Sequence, residues 1–122
     1  MSDNKDDREA FFTAMKEMEQ QNTTCTNKAT FLDNVVLGKE QVTFAVIDRC
    51  REAVLQLRQS HHVFKKLHQK YKSTPLGVEH QSRLRDLSNS IESTSERATE
   101  ALNDIISWVP AAVNTRALGN AR

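Results

Sequence analysis

The chain has 122 residues, of which 38% are hydrophobic and 27% charged, with three Gly, two Pro and a formal net charge of +1. This length suits a single domain, and the composition is typical of a helical protein with narrow apolar faces rather than of a sheet enzyme with a thick core. No apolar run reaches the roughly 18 residues that span a bilayer, and the first residues are polar. We therefore expect an intracellular protein, cytoplasmic or nuclear, that is neither secreted nor transmembrane.

The N-terminal third predicts a short amphipathic helix. Residues 1–5 are expected to be disordered, and the helix is expected at about residues 6–21. Its apolar face consists of Phe11, Phe12, Met15 and Met18. The polar residues 22–27 predict a break, and residues 31–36 form a second short amphipathic stretch. Gly38 either separates this stretch from the next helix or lies within one helix, which leaves three or four helices in all.

Two heptad ladders dominate the rest of the chain. The first ladder is Ile47, Cys50, Val54, Leu57, His61, Phe64, His68 and Tyr71. The second ladder is Leu84, Leu87, Ile91, Thr94, Ala98, Ala101, Ile105 and Trp108. Each ladder alternates steps of three and four residues, which predicts a helix with an apolar seam for a partner helix. Residues 73–77 have turn chemistry, with Thr74 suited to cap a helix and Pro75 suited to its first position.

These elements predict an all-α fold: a long antiparallel, coiled-coil-like helical hairpin with a shorter N-terminal helix packing on it. The hairpin covers residues 40–109 within a single domain of residues 6–109. Pro110 is expected to stop the last helix, and residues 110–122 are expected to form a flexible C-terminal tail.

Several apolar residues lie outside the seam that two helices can bury. The last helix becomes broadly apolar near its end, and two apolar residues of the preceding helix lie eight residues apart on a neighbouring face. Another helix should therefore pack on these surfaces, either the first helix of this chain, together with residues 31–36, or a helix of a partner. The predicted assembly face comprises Phe44, Leu55, Val63, Leu102, Ile105, Ile106, Trp108 and Val109. This face predicts a non-catalytic protein–protein interaction module, a small subunit or adaptor. Its expected partner is another protein or, more simply, a second copy of the chain.

A basic ridge supports an alternative function. Between residues 39 and 72 there are eight basic and three acidic residues. Arg51, Arg58, Lys65 and Lys72 recur every seven residues and form the basic ridge, which Lys66 and Lys70 broaden. Such a ridge predicts a helical protein that contacts the phosphate backbone of a duplex nucleic acid. In the other interpretation the ridge only covers the edge of the seam, with the acidic first helix lying against it.

No catalytic residue, metal site, cofactor or small-molecule ligand is predicted. The chain contains no Gly-rich phosphate loop and no G-x-S-x-G turn. His61 and His68 are two helical turns apart, roughly 10.5 Å along the axis, which is too far to share a metal ion. Cys25 and Cys50 are expected to be free thiols in a reducing compartment.

Residues 68–77 bear a weak resemblance to the signature of histidine phosphotransfer domains, which are four-helix bundles. The matching residues are His68, Ser73, Leu76 and Gly77. The departures are Tyr71 in place of a lysine, Lys72 in place of a glycine, a spacing one residue short, and Pro75, which interrupts the helix. The resemblance would imply that His68 accepts a phosphoryl group and is exposed. Histidine phosphotransfer is therefore the remote alternative to an interaction module.

Overall fold

The computed structural model describes residues 2–38 and 42–108. Within these ranges the chain forms four helices and no strand: α1 Ser2–Leu37, α2 Phe44–Tyr71, α3 Pro75–Glu79 and α4 Gln81–Ser107. The predicted all-α fold is confirmed. Val109, the predicted tail 110–122 and the predicted start of the second helix at residue 40 lie outside the described residues. In the described ranges no helix combines the length and apolarity needed to cross a membrane.

The prediction of a shorter N-terminal helix was wrong. Helix α1 has 36 residues and is longer than α2, with 28 residues, or α4, with 27. It begins at Ser2, so residues 2–5, which we expected to be disordered, are helical. It also continues without interruption through the polar residues 22–27, where a break was predicted.

The polar segment stays helical because its side chains find partners within the helix or across the bundle. The hydroxyls of Thr23 and Thr26 donate to backbone carbonyls four residues earlier, at 3.1 and 3.0 Å. Cys25 faces the core and is fully buried. Asn22 accepts a hydrogen bond at 3.0 Å from Ser90 of α4. These tertiary contacts override the weak helix preference of the segment.

Helix α1 is the third full-length member of a bundle, not a cover on a hairpin. It packs more extensively against α2 and against α4 than these two pack against each other. It runs antiparallel to α2, where the thiol of Cys25 lies 3.5 Å from the carbonyl oxygen of Leu57. It runs parallel to α4, where Arg97 forms an ion pair with Asp33 at 3.2 Å. Helices α2 and α4 are antiparallel, as predicted.

The connection between α2 and α4 follows the predicted turn chemistry. The Thr74 side chain accepts a hydrogen bond from the backbone N–H of Gly77 at 3.1 Å, and Pro75 occupies the first position of α3. Thr43 caps α2 in the same way by accepting from Val46 N–H at 3.3 Å. The third predicted helix is divided, because His80 leaves the helical conformation between α3 and α4.

The core contains most of both heptad ladders. Its ladder members are Ile47, Cys50, Val54, Leu57, Phe64, Leu84, Ile91, Thr94, Ala98, Ala101 and Ile105. Helix α1 adds Phe11, Ala14, Met15, Met18, Cys25, Ala29 and Leu32. Of the apolar face predicted for the first helix, Phe12 alone is exposed. The remaining ladder residues are half-buried, and among them the two histidines line a polar groove.

Candidate binding surfaces

The predicted assembly face is largely internal at the end of α4. Ile105 is fully buried, so its assignment to a partner face was wrong. Helix α1 packs along α4, and Phe31, Val35 and Val36 near its end are partly buried against the same core that contains Ile105. The predicted assembly residues Leu102, Ile106 and Trp108 are half-buried. Val109 lies outside the described residues.

Two other predicted assembly residues remain exposed, both on α2. The exposed fraction is 44% for Phe44 and 59% for Leu55. They are 11 residues apart, about three helical turns, so they share one side of the helix. Arg51 and Arg58 lie four residues before and three residues after Leu55, and both are exposed. We call these four residues the outer face of α2. Val63, the remaining member of the predicted face, is half-buried.

The basic ridge is open. Its four residues, Arg51, Arg58, Lys65 and Lys72, are all exposed. The interpretation in which α1 lies against the ridge was wrong, because carboxylates of α1 pair with α4 instead. Glu19 forms an ion pair with Arg83, and Asp33 forms one with Arg97. In the described parts of the chain, no ion pair involves a residue of the ridge. Lys66 and Lys70, which broaden the ridge, are also exposed.

A polar groove runs between α2 and α4, and we call it the α2–α4 groove. One wall includes His61, Lys65, His68 and Lys72, which follow one another on α2 at steps of four, three and four residues, and Lys66 and Lys70 also line it. These steps place the four side chains along one side of the helix over roughly 16.5 Å. The groove therefore includes two residues of the basic ridge and both histidines of the first ladder.

The other wall of the groove comes from α4. Arg85, Ser88 and Glu92 follow the same spacing of three and four residues and face the α2 wall. The groove consists of two adjoining cavities of about 710 and 310 Å³, which share His68 and Ser88. Glu92 is the one acidic residue that lines it within the described chain. Sequence reasoning missed this groove, although the three- and four-residue spacing beside each ladder was a visible signal.

The two groove histidines have lowered pKa values. Burial lowers the pKa of His61, Lys65 lowers it further and Glu92 opposes the change. Burial likewise lowers the pKa of His68, with Lys72 adding to the shift and Glu92 opposing it. Both imidazoles are therefore mainly neutral at neutral pH.

The surroundings of the two imidazoles differ. His61 Nδ1 lies 3.2 Å from the hydroxyl oxygen of Ser95 on α4, and His61 Nε2 is buried without a hydrogen-bond partner in the described chain. The His68 ring stacks on Phe64, with 5.6 Å between centroids and 13° between planes. His68 is half-buried, so it is less exposed than a phosphoaccepting histidine should be, and it lines the α2–α4 groove.

The two cysteines are buried free thiols. Burial raises the pKa of the Cys25 thiol to about 11. Burial also raises the pKa of the Cys50 thiol, and the neighbouring Arg49 partly offsets this shift. Both thiols are therefore protonated at neutral pH, which makes them weak nucleophiles and weak metal ligands. Among the described residues, no group of three or more His, Cys, Asp and Glu side chains is placed to hold a metal ion.

A further cavity of about 510 Å³ lies where α2 ends and α3 begins, beside an aromatic cluster. The Phe11 ring lies 6.0 Å from the Tyr71 ring, measured between centroids. The cations that line the cavity are engaged by aromatic faces, since Arg8 lies 5.8 Å from the Phe12 centroid and Lys70 lies 5.4 Å from the Tyr71 centroid. The cavity thus offers an apolar surface and few unengaged polar groups to orient a ligand.

Comparisons with protein-family models, with curated proteins and with solved structures found no match to this chain. The surfaces described above are therefore the basis for the functional inference.

Proposed function

We propose that the chain is a non-catalytic helical interaction module, a small subunit or adaptor, which binds an acidic helical partner through the outer face of α2. The observation that carries this proposal is the exposure of Leu55, at 59%, between two exposed arginines. An exposed apolar side chain in a basic setting suits a partner that presents an apolar residue flanked by carboxylates. The seven-residue repeat of the basic ridge matches the repeat of a second helix lying along α2.

A second copy of the chain is one such partner. Glu96, Glu100 and Asp104 are exposed on α4 and recur at four-residue steps, so they form an acidic line about two turns long. The outer face of α2 in one copy is complementary in charge to this line in another copy. Self-association of this kind would be electrostatic in part and would weaken as salt rises.

Sedimentation velocity at low and high salt tests self-association directly. We expect the wild-type protein to associate at low salt and Leu55→Glu to abolish that association while helix content is retained. Leu37→Glu is the matched control, because Leu37 is also a highly exposed leucine but belongs to α1 and is not part of the outer face of α2. An equal effect of the two substitutions would contradict the assignment of this face.

A photo-crosslinking residue at position 55 tests for a different protein partner in cells. We expect a discrete adduct that disappears when Arg51 and Arg58 are both changed to Glu, and no such adduct from position 37. If adducts from position 55 do not depend on the two arginines, and the protein is monomeric at every salt concentration, the proposal fails.

The second candidate function is contact with the phosphate backbone of a duplex nucleic acid. It is favoured by the exposure of all four residues of the basic ridge. Successive members lie roughly 10.5 Å apart along α2, so the ridge spans about 32 Å and reaches several phosphates. Changing Arg58 and Lys65 to Gln should reduce the salt dependence of binding by about one unit per lost contact. Absence of binding to duplex RNA and duplex DNA at low salt would exclude this candidate.

A further inference from the structure

We propose that the α2–α4 groove is a binding site for a compact polyphosphate: a chain of three or more phosphoryl groups, either free or carried by a small molecule. This site goes beyond the proposed interaction function and does not depend on it. The outer face of α2 contributes Leu55 and Arg51, neither of which lines the groove, whereas Arg85 lines the groove and belongs to a different helix. The two sites can therefore be tested separately.

The first argument is uncompensated charge. Lys65, Lys66, Lys70 and Lys72 from α2 and Arg85 from α4 line the groove, with Glu92 as the opposing acid. No ion pair within the described chain involves any of these five cations. Cations held on facing helices repel each other, and a multiply charged anion between them relieves that repulsion. Phosphate oxygens also accept charge-assisted hydrogen bonds from lysine and arginine, which are stronger than neutral ones.

The second argument is size and shape. The two adjoining cavities, of about 710 and 310 Å³, are within the range of small-molecule sites. Packed helices lie about 8–10 Å apart, so the space above their contact line admits an extended chain of phosphates but not a nucleic-acid duplex. A duplex would have to rest on the rim, where the basic ridge lies. The groove thus selects a narrow polyanion, whereas the ridge alone does not.

The third argument concerns the groups at the centre of the groove. The Ser88 hydroxyl and the His68 imidazole belong to both cavities, so they lie where the two halves meet. The lysine, arginine and acidic residues that line the groove with His68 are Lys65, Lys66, Lys70 and Lys72 on its own helix and Arg85 and Glu92 on α4. Burial lowers the pKa of His68, Lys72 lowers it further and Glu92 opposes the change, so the imidazole is neutral in the empty groove. A bound polyphosphate reverses this balance and favours the imidazolium, which then donates a hydrogen bond to a phosphate oxygen.

Proton uptake on binding follows from this arrangement. As the pH falls from about 7.5 to about 6, less free energy is needed to protonate His68, so the affinity should rise. The additional charge-assisted hydrogen bond should raise the affinity roughly tenfold. His61 lines the same groove, but its Nδ1 atom is engaged with Ser95, so we expect His68 to account for most of the pH dependence.

Isothermal titration calorimetry with sodium triphosphate tests the proposal. We expect saturable binding that Lys72→Gln combined with Arg85→Gln weakens at least tenfold, as expected for two lost charge-assisted contacts. Arg51→Gln is the matched control, because it removes an exposed cation of α2 outside the groove and should leave the affinity unchanged. His68→Gln should keep binding at about pH 7.5 but remove the gain at about pH 6. Triphosphate itself titrates in this range, so the difference between wild type and His68→Gln is the informative quantity.

Adenosine triphosphate serves as the second probe. Equal affinity for adenosine triphosphate and triphosphate would support the groove as a site for a phosphate chain carried by a small molecule, and a preference for triphosphate would support a free chain. The proposal is overturned if triphosphate binds no more tightly than sulfate, or if Arg51→Gln weakens binding as much as the groove variants do. Thermal unfolding of each variant by circular dichroism ensures that lost binding is not lost folding.

Discussion

Replacing Gly77 by alanine should destabilise the bundle at the connection between α2 and α4. A Cβ atom built on Gly77 would overlap the backbone carbonyl oxygen of Tyr71 and lie 2.9 Å from the carbonyl carbon and oxygen of Lys72. These are backbone atoms, so no side-chain rotation can relieve the overlap. Helix α3 must instead move away from the end of α2. Overpacking of this kind lowers the free energy of unfolding by up to about 3 kcal/mol. The higher helix preference of alanine over glycine offsets about 1 kcal/mol of this loss. We therefore expect a net loss of about 2 kcal/mol.

Gly38→Ala is the matched control. A Cβ atom at this position would lie 3.5 Å from the carbonyl oxygen of Asn34, which is an ordinary van der Waals distance. Neither glycine has a positive φ angle, so neither substitution is strained by backbone conformation alone. Gly38→Ala should thus leave stability unchanged or increase it by about 0.4–1 kcal/mol through the unfolded state.

Thermal unfolding followed by circular dichroism measures both effects. For a chain of this size, a loss of about 2 kcal/mol lowers the melting temperature by roughly 8 °C. We expect a decrease of this order for Gly77→Ala and none for Gly38→Ala. If the two variants had the same melting temperature, the close approach of α3 to the end of α2 would not limit stability. The reasoning from the Cβ overlap would then be wrong.

Three further predictions concern the core, the thiols and the histidines. Ala98→Leu should cost about 1–3 kcal/mol through overpacking of a fully buried position, and Ser95→Leu, at a half-buried position, should cost less; equal changes in melting temperature would contradict the assigned seam. Cys25 and Cys50 should resist alkylation in the native protein and react once it is unfolded, since both thiols are buried with raised pKa values; rapid native labelling of either one would refute this. Because the groove histidines have pKa values lowered from 6.5 by folding, the unfolded state binds protons first as the pH falls below about 6.5. Stability should therefore be highest above that pH and decrease below it. A urea concentration at the unfolding midpoint that rises as the pH falls would contradict this prediction.

The two ladders could be predicted from sequence because their signal is local. Leu84, Ile91, Ala98 and Ile105 recur every seven residues, and all four are buried. Such a repeat requires only that a helix forms and that one side of it faces apolar partners. The capped turn at Thr74 and Pro75 was predictable for the same reason, because the capping hydrogen bond spans three residues.

The extent of α1 could not be predicted locally. Residues 22–27 combine asparagine and threonine, which favour turns when no tertiary contact opposes them. Their helical state depends on groups far away in the chain, including the carbonyl of Leu57 near Cys25 and the hydroxyl of Ser90 near Asn22. The packing of α1 against α4 is likewise non-local, and the sequence did not decide whether α1 or a partner covers the end of α4, where Ile105 is fully buried.

The candidate sites show the same division between local and non-local information. The basic ridge was predictable from a seven-residue repeat on one helix. The α2–α4 groove also depends on the register between two helices, which sets Ser95 beside His61 and Ser88 near His68. A heptad pattern identifies the side of each helix that faces inward but leaves their relative shift along the axis undetermined.

The distribution of charge among the helices explains why a nearly neutral chain presents a strongly basic surface. Helix α2 carries six basic and two acidic residues, whereas α1 carries four basic and seven acidic ones and α4 three basic and five acidic. Arg83 pairs with Glu19, and Arg97 pairs with Asp33. Both ion pairs join α4 to α1, so these two carboxylates of α1 do not neutralise the charge of α2. The three long helices together carry a net charge of −1, and the charged residues outside them bring the whole chain to +1. At physiological salt, charges farther away than the Debye length of about 8 Å are largely screened. The electrostatic attraction on a partner therefore comes mainly from the helix that it contacts. Association through α2 should therefore depend on salt even though the protein as a whole is almost neutral.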